Sequence, residues 1–248
     1  MIYFTGAGPG AVDLITVRGM ELLKKADMVV YAGSLVNPEL LSYCREGCVR
    51  MNSASMTLEE VIKAMTSYPK ESVIVRLHTG DPSVYGAIRE QMDELDRLGY
   101  DYEVVPGVSS MNAAAAVLKA EYTLPGVSQT LIVSRMAGKT PVPEKENIRS
   151  LAAHGASMAL FLSVSMLKKL CEELIEGGYA PDTPAAVVYK ATWPDEETVR
   201  GTLATLPEKA AHIGRTALVL VGGFMGSEYE RSKLYDPAFS HMFREASK

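Results

Sequence analysis

Ile2-Tyr3-Phe4-Thr5-Gly6-Ala7-Gly8-Pro9-Gly10-Ala11-Val12-Asp13-Leu14-Ile15-Thr16 is the stretch that decides the fold of this chain. Its first four residues form a short apolar run that reads as a buried strand, and the glycines after them read as a tight turn. A helix is expected next, from about Thr16 to Ala26, with Val17, Met20, Leu22 and Leu23 sharing one face. Strand, glycine turn and helix together open an α/β domain, in which parallel strands are joined by crossover helices.

The pattern continues downstream. Met28 to Tyr31 reads as a second strand. Thr57-Leu58-Glu59-Glu60 has capping-box spacing and starts a helix that turns Leu58, Val61, Ile62 and Met65 inward. A third strand is expected over Val73 to Leu77. Tyr85 to Leu98 reads as a helix carrying Ile88, Met92 and Leu95, with Gly99 where a left-handed C-cap residue belongs. Tyr102 to Val105 is the fourth strand and stops at Pro106-Gly107. Ser109 or Ser110 is then placed to cap a helix through Ala113 to Ala116.

Leu124-Pro125-Gly126 breaks the pattern, which puts a domain boundary there: residues 1–123, then 124–226, then a tail over 227–248. In the second half, Thr130 to Val133, Met158 to Leu162, Ala185 to Tyr189, Thr198 to Leu203 and Ala217 to Val221 read as strands. A helix is expected from about Ser165 to Glu176, ended by Gly177-Gly178, and another after Thr205, with Pro207 at its first position.

The 248 residues suit one large domain or two of about 120 residues, either of which buries a core. With 30 acidic against 25 basic residues, no polycationic face is expected and nucleic acid is disfavoured as a partner. Three cysteines make no disulfide framework and fit a reducing compartment, so the cytoplasm is the expected location. Cys44 and Cys48 lack a second pair to complete a zinc set, and no metal site is expected. No apolar run reaches the roughly 20 residues of a spanning helix, so a membrane is not expected either.

The site is expected where Gly and Pro turns follow strands. Gly6 to Gly10, Thr79-Gly80-Asp81-Pro82 and Pro106-Gly107-Val108-Ser109-Ser110 each follow a strand, and open α/β sheets bind ligands outside the carboxyl ends of their strands. The spacing Gly6-x-Gly8-x-Gly10 lacks a Walker lysine, and Tyr31-Ala32-Gly33 stands where a ribose-binding carboxylate would sit, so a standard dinucleotide site is disfavoured. Asp81 beside backbone donors suits a ligand with positive charge, such as an ammonium or sulfonium; the plainer alternative makes it a turn residue or helix cap. Lys190-Ala191-Thr192-Trp193-Pro194-Asp195-Glu196 holds the one Trp and reads either as a pocket lining or as a turn with a packed aromatic. Of the four histidines only His78 lies at a strand end near these turns.

Taken together these motifs resemble the tetrapyrrole methylases, a family of S-adenosylmethionine-dependent methyltransferases. The resemblance runs from Ile2 to about Gly223. It rests on Gly6 to Gly10 with Asp13-Leu14-Ile15-Thr16, on Gly80-Asp81-Pro82, and on Pro106-Gly107-Val108-Ser109. One corrin-ring branch is suggested by Tyr31-Ala32-Gly33-Ser34-Leu35-Val36, Leu124-Pro125-Gly126 and the Lys190 to Glu196 segment. Arg135 to Glu144, with Thr140-Pro141-Val142-Pro143-Glu144, is similar to the form of that branch with a cobalt-containing substrate.

The resemblance implies two α/β domains, S-adenosyl-L-methionine in a cleft between them with S-adenosyl-L-homocysteine as product, a corrinoid tetrapyrrole substrate, and a homodimer. It further implies cofactor contacts at Pro9, Thr79, Gly80, Asp81, Val84, Ser109 and Ser110, with Leu162 and Ala191 added on spacing. Arg135, Lys139 and Lys190 are the candidate partners of the substrate's carboxylates. Sirohaem-forming relatives have a carboxylate just after the second strand; Ala32-Gly33 stands there instead, so no catalytic base is assigned.

Overall fold

A computed structural model describes residues 1–246 as two units: Met1–Ala113 with Lys190–Glu196, and Ala114–Tyr189 with the chain from Glu197 onward. In the first unit the elements run β1 (Ile2–Gly6), α1 (Val17–Lys25), β2 (Met28–Tyr31), β3 (Val49–Asn52), α2 (Leu58–Thr66), β4 (Ile74–His78), α3 (Arg89–Leu98) and β5 (Tyr102–Val105). All five strands are parallel, in the order β3-β2-β4-β1-β5, with Gly6 opposite His78 and Thr5 opposite Val105. Consequently the turns after β4, β1 and β5 leave the sheet side by side.

Alternation along the strands divides the core into two layers. Ile2, Phe4, Met28, Val30 and Ile74 pack against Val61, Ile62 and Met65 of α2 and Leu95 of α3. Val29, Val75 and Leu77 face Leu23 of α1 and Leu40 of the short turn of helix after Asn37. α1 is capped by Thr16, whose hydroxyl accepts the Gly19 N–H at 3.1 Å. It buries Gly19 and Leu23 and packs Leu22 partly buried against the same core, while Val17, expected inside, is 75% exposed. α2 has the expected capping box, with Thr57 and Glu60 exchanging bonds at 2.8 and 3.3 Å. α3 begins at Arg89 instead of Tyr85, because Tyr85 and Ala87 hold left-handed backbone that a helix excludes. Gly99 ends it in the left-handed conformation, as expected.

α4 (Ser110–Leu118) spans the junction of the units. The second unit then runs β6 (Leu131–Arg135), α5 (Ile148–Ala152), β7 (Ser157–Phe161), α6 (Leu167–Glu176), β8 (Pro184–Tyr189), β9 (Glu197–Thr202), α7 (Leu206–Lys209) and β10 (Ala217–Val221). Its sheet has the order β6-β7-β10-β8-β9, in which only β6 and β7 are parallel. The connection from β8 to β9 lacks the crossover that parallel pairing needs, so these strands run antiparallel. Met158, Leu160, Val187 and Val219 bury one sheet face under Ile148 of α5, Leu170 and Leu174 of α6 and Leu206 of α7. Pro207 stands second in α7, and the Thr205 hydroxyl accepts the Thr202 N–H instead of capping the helix.

Candidate functional site

The three turns at the carboxyl edge of the first sheet are packed backbone on backbone. A side-chain carbon on Gly6 would lie 2.5 Å from the Gly107 Cα and 2.6 Å from the Gly80 carbonyl oxygen. Both neighbours are backbone and cannot swing aside. Gly8 and Gly80 form an antiparallel bridge, exchanging N–H to carbonyl bonds of 3.3 and 2.8 Å. Gly80 in turn faces the backbone of Val108, Ser109 and Ser110. The small residues at this edge therefore let three turns touch one another.

Asp81 ties two of these turns. One carboxylate oxygen accepts the Gly107 N–H at 2.8 Å. The other accepts the Ser83 N–H at 2.8 Å and the Ser83 hydroxyl. Burial alone would push this carboxyl group up, but the bonds from Ser83 and Gly107 outweigh it and hold Asp81 below the usual aspartate range. It therefore stays ionised at neutral pH, leaving a fixed negative charge at the turn edge.

The glycine turn is held from two further directions. Trp193 Nε1 donates to the Pro9 carbonyl at 3.0 Å, and Thr192 Oγ1 accepts the Ala11 N–H at 3.0 Å. Asn37, 8% exposed, donates from Nδ2 to the Gly10 carbonyl at 2.9 Å. A side-chain carbon on Gly10 would stand 2.5 Å from Trp193 Nε1 and 2.9 Å from the Ala191 carbonyl oxygen. Trp193 of the Lys190 to Glu196 segment is thus packed against the glycine turn. Asn37 has no motif of its own: Asn37-Pro38-Glu39 reads as a helix start, and only folding brings its amide to residue 10.

The edge thus gathers Pro9, Thr79, Gly80, Asp81, Ser109 and Ser110, with Val84 three residues after Asp81, its N–H on the Asp81 carbonyl. Ala191 joins them through the Lys190–Glu196 segment. Lys190 donates to Asp195 at 2.6 Å and lies over the Trp193 ring at 5.3 Å from its centre. Leu162, Arg135 and Lys139 belong to the second unit. Leu162 follows β7 in left-handed backbone and is 66% exposed. The Arg135 guanidinium donates to the carbonyls of Met136, Thr140 and Pro141, closing its own loop, while Lys139 in that loop is exposed.

His78 turns away from the edge into the core beside Phe4, with ring centres 6.0 Å apart. It is 4% exposed, Nε2 has no partner, and burial with the nearby Arg76 charge pushes its pKa down to about 3. At neutral pH it is an uncharged core residue. Among the described residues no cluster of three or more His, Cys, Asp or Glu side chains is placed to hold a metal ion. No helix among them is long and apolar enough to cross a membrane.

Comparison with known proteins gives a consistent picture. The family model of the tetrapyrrole (corrin/porphyrin) methylases matches residues 1–207. The chain is 52% identical to a cobalt-precorrin-4 C(11)-methyltransferase of Methanocaldococcus jannaschii, covering 100% of this chain and 97% of that one. It is 46% identical to a precorrin-4 C(11)-methyltransferase of Pseudomonas aeruginosa, covering 98% of each. Among solved structures, the cobalt precorrin-4 methyltransferase CbiF superposes with a TM-score of 0.88 at 47% identity, over 91% of this chain and 96% of that one. A uroporphyrin-III C-methyltransferase of Thermus thermophilus, in complex with S-adenosylhomocysteine, gives 0.75 at 27% identity, over 89% and 96%.

Proposed function

The chain belongs to the tetrapyrrole (corrin/porphyrin) methylases, and from that premise we propose that it transfers a methyl group from S-adenosyl-L-methionine to carbon 11 of cobalt-precorrin-4. The product is cobalt-precorrin-5A, and the reaction is a step of corrin-ring construction for cobalamin. The observation that carries this reading is the 52% identity over the whole chain with the Methanocaldococcus jannaschii enzyme. A second reading, the same methylation of metal-free precorrin-4, is favoured by the Pseudomonas aeruginosa relative at 46%.

The proposed cofactor contacts are Pro9, Thr79, Gly80, Asp81, Val84, Ser109 and Ser110, with Ala191 and, in the second unit, Leu162 retained on spacing. The turn edge suits an S-adenosyl group in one direct respect: Asp81 is held ionised beside it, which favours a cationic ligand. S-adenosylmethionine, when bound, supplies a methyl group already activated on a sulfonium. What remains for the chain is alignment, and orientation of two bound reactants can lower a barrier by about 7–11 kcal/mol. The close-packed turns provide a rigid support for that task. No acid or base is assigned: Ala32-Gly33 follows β2, and His78 is buried and neutral.

Lys190, Lys139 and Arg135 are proposed to meet the carboxylates of the tetrapyrrole. We take the working unit to be a homodimer, a reading supported by the exposed Tyr229, Tyr235, Met242 and Phe243 near the C-terminus. The three unpaired thiols, Cys44, Cys48 and Cys171, support a reducing, cytoplasmic setting. Incubation of the purified protein with S-adenosylmethionine and either cobalt-precorrin-4 or metal-free precorrin-4 tests the proposal. Gain of one methyl group, faster on the cobalt form, supports it; turnover of the metal-free form alone selects the second reading, and no turnover of either refutes both.

A further inference from the structure

The glycine turn commits three backbone groups to side chains from distant positions. The Pro9 carbonyl accepts from Trp193, the Gly10 carbonyl from Asn37, and the Ala11 N–H donates to Thr192. We propose that Trp193, Thr192 and Asn37 are positioning residues that hold Pro9–Ala11 in the shape that binds the S-adenosyl group, so cofactor affinity depends on side chains that act through the turn. The inference rests on the reading of this turn as part of the cofactor site.

Three features of the structure support a dedicated role. First, Gly10 is matched to Trp193: the indole occupies the space that any side chain at residue 10 would need. Second, an indole N–H can only donate, and here it is used on the turn at 3.0 Å and not left to solvent. Third, the segment carrying Trp193 is held in unfavourable backbone. Lys190 has φ 43° and Thr192 φ 70°, and a β-branched residue in that region is a genuine outlier. Such geometry persists only where the surroundings over-determine it. Here they do: Thr192 N–H donates to Glu196 Oε2 at 2.6 Å, Trp193 N–H to the Lys190 carbonyl at 2.9 Å, and Lys190 Nζ to Asp195 at 2.6 Å. Asn37 contributes with both ends of its amide in use. Its Oδ1 caps the following helix by accepting the Glu39 N–H at 3.0 Å while Nδ2 holds Gly10.

The effect on binding follows from population. If only a fraction of molecules hold the turn in the competent shape, the apparent Kd rises by the inverse of that fraction. Releasing one of these bonds is expected to reduce that fraction to about a tenth, a tenfold weaker Kd, equivalent to ~1.4 kcal/mol.

The test compares Trp193→Phe, which keeps an aromatic ring and removes the donor, with Thr192→Val and Thr192→Ser, in the whole chain of 248 residues. S-adenosylhomocysteine binding is measured by calorimetry, thermal unfolding without ligand is recorded, and KM is determined separately for S-adenosylmethionine and for the tetrapyrrole. The expected result is a tenfold rise in Kd for Trp193→Phe and Thr192→Val, near-normal binding for Thr192→Ser, and a rise in KM for the cofactor alone. Affinities within twofold of the unsubstituted protein in both variants overturn the inference. So does an equal rise in both KM values, which marks a general structural loss. If the unsubstituted protein does not bind S-adenosylhomocysteine, the cofactor reading and this inference fall together; if it binds and the variants match it, only this inference falls.

Discussion

Replacing Asp81 by alanine removes the acceptor of three hydrogen bonds, and the structure indicates how much each is worth. The Ser83 N–H and hydroxyl lie on an exposed turn, where water replaces the lost carboxylate and the net cost is small. The Gly107 N–H is different. It is part-buried beside the backbone contact of Gly6, Gly80 and Gly107, so losing its 2.8 Å partner leaves a donor hard to solvate, at about 1–3 kcal/mol. The sum is a loss of roughly 2–3 kcal/mol, and for a chain of this size ~5–10 °C in Tm. Urea unfolding without ligand, followed by the fluorescence of Trp193, the single tryptophan, reads the first unit directly.

The pH dependence has a definite sign. Asp81 is held below its ordinary 3.8, so its contribution is complete above that pH and is lost as pH falls through the folded value. The gap between the unsubstituted protein and Asp81→Ala should therefore be constant at pH 5–8 and close in more acid solution. A variant within 0.5 kcal/mol of the parent at pH 7 would show that Gly107 finds another partner and that Asp81 does not hold the two turns together.

Gly6→Ala should be more damaging, by about 1–3 kcal/mol for overpacking plus the Gly8–Gly80 bridge, because both blocking neighbours are backbone; urea midpoints measure it. His78→Phe should flatten the acid limb of stability. An imidazole that moves from 6.5 to about 3 on folding supports the fold fully above pH 6.5 and progressively less below it. At pH 4.5 the unsubstituted protein should therefore have lost about 3 kcal/mol more than the variant, relative to pH 7. Lys139→Ala should raise the tetrapyrrole KM several-fold with stability unchanged. Arg135→Ala should also speed amide exchange at Gly138, whose N–H donates to the Thr140 carbonyl that the guanidinium holds in place.

Much of the first unit is legible in the sequence because its signals are local. Met28 to Tyr31 and Tyr102 to Val105 appear as read, as do the Thr57 capping box and the Gly99 C-cap. β3 escapes such reading: Val49-Arg50-Met51-Asn52 is a short edge strand with an exposed valine and no clear alternation. α5 is a five-residue helix, too short for a periodic signal. At the site, the positions of the turns are readable and the reason for their glycines is not. Sequence suggests close approach to a ligand, whereas Gly6, Gly10 and Gly107 are filled by one another and by Trp193, neighbours that only the tertiary fold supplies. Asn37 is invisible for the same reason.

The position that receives the methyl group distinguishes C-11 methylation from every other outcome. The protein is incubated with cobalt-precorrin-4 and S-adenosylmethionine carrying a carbon-13 methyl group, and the product is examined by NMR. A single new labelled methyl on carbon 11 is expected; label on any other ring carbon, or none on the macrocycle, rules out C-11 methylation by this chain.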